Sequence, residues 1–296
     1  MPGARGLGTC RASGYLETPG GKGLHVAAVA AALGALVRVV LPLGGRCGEH
    51  VRELADQAGI ELDVVEIAAE TRGTYTVVDD ADGAVIEVLE PPPTLSDAEV
   101  SALVARAHAH ADATVLVVTG SVPRGVTATF HADVARRATG TCLVDASGDA
   151  LAAAISDTRA LVKPNRGEAE RATGRVVGEL ALSRIAALVR APCWISLGEQ
   201  GSLFVPDNDE AWHLSLEPRS PTVNTVGCGD ALAGGFAAGI AAGRSPLGAA
   251  ALGVAAATSK ATHLHPATID AEAALARAGD VVCTRIPIDD TARSTE

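Results

Sequence analysis

The densest chemistry in the chain lies in Asn224-Thr225-Val226-Gly227-Cys228-Gly229-Asp230, a glycine-rich turn that runs directly into an Ala-rich stretch. Gly227 and Gly229 let main chain approach a ligand closely, and the first N–H groups of the following helix lack intrahelical partners. Such a turn can cradle an anion, with the positive end of the helix dipole adding attraction. Asp230 falls in the first helical turn, beside that anion. A plainer reading stands next to this one: a capped helix with a dipole-stabilising Asp. A second turn, Pro19-Gly20-Gly21-Lys22-Gly23-Leu24-His25, opens an apolar helix over 26–33. It is not a P-loop, because Leu16 and Gly23 stand where that motif needs Gly and Ser or Thr. In isolation it reads as a flexible turn before a helix.

Two further segments carry candidate ligands. In Lys163-Pro164-Asn165-Arg166-Gly167-Glu168, Asn165 and Glu168 have the spacing of a capping box, which is a structural role. At the carboxyl edge of a sheet, where α/β proteins bind ligands, the same amide and carboxylate could instead orient the waters of Mg²⁺. Ser196-Leu197-Gly198-Glu199-Gln200-Gly201 places glycines in a turn between two strands, which an ordinary hairpin would also do.

The elements that must position these segments follow an alternating pattern. Strands are expected over 36–41, 62–67, 114–119, 141–145, 160–163 and 193–197, with helices over 49–57, 97–111, 127–138 and 183–190. Several of the strands are continuously apolar, which suits a sheet covered on both faces. Ser96 and Glu99 form a capping-box pattern at the start of the helix over 97–111. The alternation predicts an α/β fold with an open, largely parallel sheet flanked by helices. Strand-like runs over 71–79 and 84–89, joined by Asp80-Ala81-Asp82-Gly83, read as a hairpin that projects as a small lid.

Composition excludes several classes. The 296 residues carry 24 basic and 35 acidic side chains, a net charge of −11, with 48% hydrophobic residues. This is a globular profile, and the acidic balance argues against nucleic-acid binding, which needs clustered cations. The run from Val26 to Val37 spans 12 residues, short of the roughly 18 of a membrane span. No export signal is visible. The six cysteines show no CxxC pair, so reduced thiols in a cytoplasmic protein are expected.

The four segments in this order resemble the pfkB carbohydrate kinases of the ribokinase-like family. Thr225-Val-Gly-Cys-Gly-Asp230 is similar to the family's C-terminal signature and Gly20-Gly-Lys-Gly23 to its N-terminal one. Thr119-Gly-Ser-Val-Pro-Arg-Gly125, Val144-Asp-Ala-Ser-Gly148, Val162-Lys-Pro-Asn165 and Glu70-Thr-Arg72 are similar to the hexose-phosphate branch. That branch contains 1-phosphofructokinase, 6-phosphofructokinase 2 and tagatose-6-phosphate kinase.

The resemblance implies one kinase domain over 1–296, with lid segments near 8–19 and 70–91. It implies ATP and Mg²⁺ as cofactors and a sugar phosphate as substrate. Asp230 becomes the base. A carboxylate is a far weaker base than an alkoxide, so it accepts the proton only late in a loose phosphoryl-transfer transition state. The N–H groups of Gly227, Cys228 and Gly229 hold the transferred phosphoryl. Lys163, Asn165, Glu168, Ser196, Gly198, Gly201 and Thr225 serve the nucleotide, with Mg²⁺ reached from Asn165 and Glu168 through water. Gly21, Lys22, His25, Arg72 and Arg11 bind the sugar phosphate, where arginine offers a bidentate fork. Lid pairing implies a homodimer. The family's first strand and an Asp that grips sugar hydroxyls have no counterpart before Gly20. The chain therefore reads either as beginning late or as impaired. His25 stands where the family commonly has Asn. Two other readings stay open: a kinase of an unphosphorylated sugar or nucleoside, and a non-catalytic binder of sugar phosphates or nucleotides.

Overall fold

Runs of Val, Leu and Cys flanked by turns set the centre of the molecule. The structure is a computed structural model that describes residues 12–79, 85–157, 160–174, 180–188, 192–207 and 209–288. β5 (Val115–Thr119), β6 (Thr141–Asp145), β7 (Leu161–Val162) and β8 (Cys193–Ser196) lie parallel. Crossovers through α4 (Phe130–Ala135), α5 (Gly148–Asp157), α6 (Arg166–Thr173) and α7 (Leu182–Leu188) join them. β9 (Ser202–Val205), β10 (Ala211–Ser215) and β11 (Val282–Ile286) then add antiparallel strands, giving the order β11-β10-β9-β8-β7-β6-β5.

The sheet is therefore mixed within the expected α/β fold, parallel from β5 to β8 and antiparallel from β8 to β11. Its physical cause is connection length. Parallel neighbours need a crossover of a dozen residues or more, whereas β8 and β9 are joined by one 3₁₀ turn over Gly198–Gln200. Gly198 (φ 65°) and Gly201 (φ 85°) supply the left-handed backbone that turn requires.

α1 (Lys22–Ala32), α8 (Cys228–Ala241) and α9 (Pro246–Ala261) cover one face of the sheet, followed by α10 (Ala271–Arg277). α8 is buried through most of its length, and Trp194, Phe204, Phe236, Leu143 and Leu252 form the centre of the core beneath it. α1 starts at Lys22, four residues before the expected 26, so Lys22 and His25 are side chains of its first turn.

β1 (Arg38–Leu43) and β2 (Glu61–Glu66) form a separate parallel pair joined by α2 (Gly45–Gln57). Among the described residues β1 pairs only with β2 and β5 only with β6. Residues of both β1 and β5 line one wide, open cleft. α3 (Asp97–Ala109) packs on β1 and β2, and the expected capping box closes its start, with Ser96 N–H donating to Glu99 Oε2 at 2.7 Å.

β3 (Thr74–Val78) and β4 (Val85–Leu89) make an antiparallel hairpin that is its own small sheet. The Asp80–Gly83 turn lies outside the described residues, as do Arg11 and residues 8–11 of the first lid segment; residues 12–19 contain no helix or strand. The register places Tyr75, Val77, Ile86 and Val88 on one face, and each is more than half exposed. No helix among the described residues is long and apolar enough to cross a membrane.

Candidate active site

The carboxyl ends of β6 and β7 open at one edge of the sheet, and the first turns of α1 and α8 meet them there. All the described site residues read from the sequence line the single cleft at this edge: Gly21, Lys22, His25, Arg72, Lys163, Asn165, Glu168, Ser196, Gly198, Gly201, Thr225, Gly227, Cys228, Gly229 and Asp230.

The turn before α8 is shaped by its own side chains. Asn224 Oδ1 accepts from Val226 N–H at 2.9 Å, and Asn224 Nδ2 donates to Leu264 O at 2.7 Å. Gly227 caps α8 at φ 84°, a left-handed conformation that favours glycine, and Pro266 packs 3.3 Å from where a Cβ would stand. One expectation is corrected here. Cys228 N–H donates to Thr225 O at 3.2 Å, so it is not a free donor of the turn. The Gly227, Gly229 and Asp230 N–H groups have no protein acceptor among the described residues, which leaves a helix N-terminus open to an anion. Burial raises the Cys228 thiol pKa; Lys260 works against that rise and Asp230 with it. The thiol is accordingly an inert group rather than a reactive one.

Asp145, at the end of β6, is the central residue that sequence reasoning did not assign. Its Oδ1 accepts from Lys22 Nζ at 3.2 Å, and Lys163 Nζ stands 3.1 Å from Oδ2. Asp145 is 1% exposed and Lys163 3%. The Val144-Asp-Ala-Ser-Gly148 phrase held the signal, but spacing alone does not tell a buried carboxylate from a cap. Burial works to lower the Lys22 pKa; Asp145, Asp230 and Glu168 outweigh it and hold that ammonium above the ordinary lysine value. A Cβ at Gly229 would lie 3.4 Å from Lys163 Nζ, so the lysine stands against the α8 turn.

Asp230 is nearly buried, and its Oδ2 lies 3.0 Å from His25 Nδ1. The structure thus ties His25 to Asp230. Asn165 and Glu168 form a complete capping box on α6: Asn165 Oδ1 accepts from Glu168 N–H at 2.9 Å and Glu168 Oε2 from Asn165 N–H at 2.8 Å. Ser196 N–H donates to Pro164 O at 3.1 Å, which brings the glycine turn at 198–201 beside them. At the root of the hairpin, Arg72 Nη2 donates to Ser121 Oγ at 3.0 Å. Glu70 binds Cys47 N–H at 2.6 Å and so closes the start of α2.

Residues 7–272 match the profile of the pfkB family carbohydrate kinases. A 1-phosphofructokinase from Haloferax volcanii is 36% identical over 242 residues, covering 80% of this chain and 77% of that protein. The ATP-dependent 6-phosphofructokinase isozyme 2 of Escherichia coli is 31% identical over 237 residues, covering 77% and 76%. The crystal structure of phosphofructokinase-2 from Escherichia coli in complex with fructose-6-phosphate superposes with a TM-score of 0.80 at 27% identity, covering 92% of this chain and 91% of that one.

The shared Asp145 carboxylate yields a direct prediction. A lysine whose pKa is raised on folding contributes stability that is complete below its unfolded value of about 10.4 and fades as pH climbs through the folded value. In Asp145→Asn the Lys22 ammonium should titrate at lower pH than in the parent protein, followed by NMR of the lysine side chains. An unchanged midpoint would show that Asp145 does not hold Lys22.

Proposed function

The chain belongs to the pfkB family of carbohydrate kinases and is a hexose-phosphate kinase with ATP as phosphoryl donor; from that premise we propose that its acceptor is a fructose or tagatose phosphate and that Asp230 is the base. One observation carries the reading: Lys163 stands against Gly229 of the α8 turn, and Asp230 follows directly at the same helix end.

In this reading the attacking hydroxyl lies against Asp230, which receives its proton as the bond to phosphorus forms. His25 holds Oδ2, leaves Oδ1 to the hydroxyl, and presents its second ring nitrogen to the sugar. The Gly227, Gly229 and Asp230 N–H groups receive the charge of the transferred phosphoryl, with Lys163 and Lys22 beside them. Thr225, Ser196, Gly198 and Gly201 border the nucleotide. Arg72 meets the phosphate that the sugar already carries. The β3–β4 hairpin covers the cleft and excludes water.

The donor set fits Mg²⁺. Glu168 offers a carboxylate and Asn165 an amide at the cleft, while Asp145 Oδ2, buried and without a hydrogen bond, faces the Lys163 ammonium at 3.1 Å. No group of three or more His, Cys, Asp or Glu among the described residues could hold a metal alone. That suits an ion held by one or two carboxylates, waters and nucleotide phosphates. When bound, Mg²⁺ neutralises charge on the nucleotide phosphates.

The exposed face of Tyr75, Val77, Ile86 and Val88 supports a homodimer through the hairpin, since large contiguous apolar patches mark association sites. A second reading, a binder without turnover, has one observation in its favour: β1 and β5 both line the cleft, and no strand among the described residues lies between them.

Three experiments test the proposal. Asp230→Ala should lower kcat by about 10²–10⁴-fold, with ATP affinity by calorimetry nearly unchanged; a kcat close to that of the parent removes the base, and a parent without turnover favours the binder. Arg72→Ala should raise KM for the sugar phosphate and leave KM for ATP in place. Equal activity of the parent on phosphorylated and unphosphorylated sugars would count against Arg72 and for the rival substrate class. Ile86→Glu should sediment as a monomer where the parent is a dimer, and an unaltered sedimentation profile would move the contact elsewhere.

A further inference from the structure

Lys260 is 0% exposed, and lysines are almost never fully buried without a partner. It lies in the last turn of α9, outside the machinery described above. Among the described residues no carboxylate stands within ion-pairing distance of it. Its Nζ donates instead to two backbone carbonyls, Asn224 O at 2.9 Å and His263 O at 3.1 Å. The negative end of the α9 dipole lies at the same place. Carbonyl oxygens and a helix C-terminus are the surroundings that a desolvated monovalent cation requires.

The two carbonyls belong to different loops. Asn224 opens the turn that becomes the N-terminus of α8. His263 belongs to the segment after α9, which packs on that turn through Pro266 against Gly227 and through Leu264 O on the Asn224 amide. The two segments are also joined by Val223 N–H to Ala261 O at 2.7 Å. The ammonium therefore bridges both walls of the anion-binding turn from behind. Its charge reaches the turn itself, since it acts on the Cys228 thiol.

We propose that Lys260 is a tethered monovalent cation that fixes the anion-binding turn, so that turnover needs no added alkali ion. It is a positioning residue: it touches neither nucleotide nor sugar. The inference rests on the kinase reading of that turn, because a fixed set of N–H donors matters where charge develops in the transition state.

The test uses the purified full chain in choline, potassium and ammonium chlorides at matched ionic strength, with ATP and fructose phosphates. The parent protein should turn over equally in all three. Lys260→Ala should lose about 10²-fold in kcat in choline, with KM for the sugar phosphate little changed. K⁺ or NH₄⁺, which fit the vacated cage, should restore most of that loss, whereas choline is too large to enter. Dependence of the parent on K⁺, full activity of the variant in choline, or a deficit that no small cation relieves would each overturn the proposal. Should Lys260→Ala fail to fold, Lys260→Ser, which also vacates the cage, carries the same comparison. A readout independent of activity separates the two layers. K⁺ should raise the Tm of the variant relative to choline and leave the parent unmoved, through binding to the folded state alone. If no sugar phosphate is turned over, the kinase reading fails, and this difference in Tm still decides the role of Lys260.

Discussion

One buried carboxylate, Asp145, balances two ammonium groups that reach it from distant parts of the chain. Lys22 occupies the first turn of α1, where the helix dipole repels a cation. Lys163 follows β7 and is itself buried. Neither position holds an ammonium comfortably without Asp145. Asp145 and Lys163 are both buried, and removing one partner of such a pair typically costs about 3–5 kcal/mol, because the remaining charge stays desolvated. The cluster therefore fixes how α1, β6 and β7 meet, and the cleft forms where they do.

α8 brings the remaining components to that meeting point, and small residues allow it to come close. A Cβ at Gly234 would stand 2.7 Å from Val26 O of α1, and one at Gly235 would stand 2.7 Å from Gly253 Cα of α9. Any side chain there would force the helices apart, and overpacking of this kind costs about 1–3 kcal/mol. The close contact with α1 sets His25 against Asp230, and the contact with α9 sets Lys260 behind the turn. The absence of side chains at Gly234 and Gly235 is thus what gives the first turn of α8 two neighbours, one on each side. A sequence reading that treats the Ala- and Gly-rich run only as helix-forming misses this packing role.

Apolar runs made the parallel half of the sheet readable. β6 occupies 141–145 as expected, and β5 and β8 differ from expectation by one residue at an end. The antiparallel half was much less legible. β10 and β11 mix polar and apolar residues without a continuous run, so periodicity does not set them apart from loop. In the site, residue types and order were legible, and hydrogen-bond occupancy was not. Nothing in Thr225-Val-Gly-Cys228 reveals that the Cys228 N–H is taken by the Thr225 carbonyl, because that depends on the turn closing with Gly227 in a left-handed conformation. Asp145 and Lys260 escaped for a related reason. Their meaning comes from burial and from partners such as Lys22, 123 residues from Asp145, and Asn224, 36 residues from Lys260, which no local spacing encodes.

The two capping boxes show what local pattern can and cannot decide. Ser96 with Glu99 and Asn165 with Glu168 make the same reciprocal bonds at the starts of α3 and α6. Both close a helix N-terminus, and that role needs no ligand. Only the second lies at the carboxyl end of a central strand, beside Asp145, Lys22 and Lys163. There one Glu168 oxygen serves the cap, and the carboxylate's charge still acts on Lys22 across the cleft. The cap also immobilises that carboxylate, which a group orienting waters around a metal requires. The structural and chemical readings of Asn165 and Glu168 therefore do not compete: the fold supplies the rigidity through the same bonds that place the charge at the cleft.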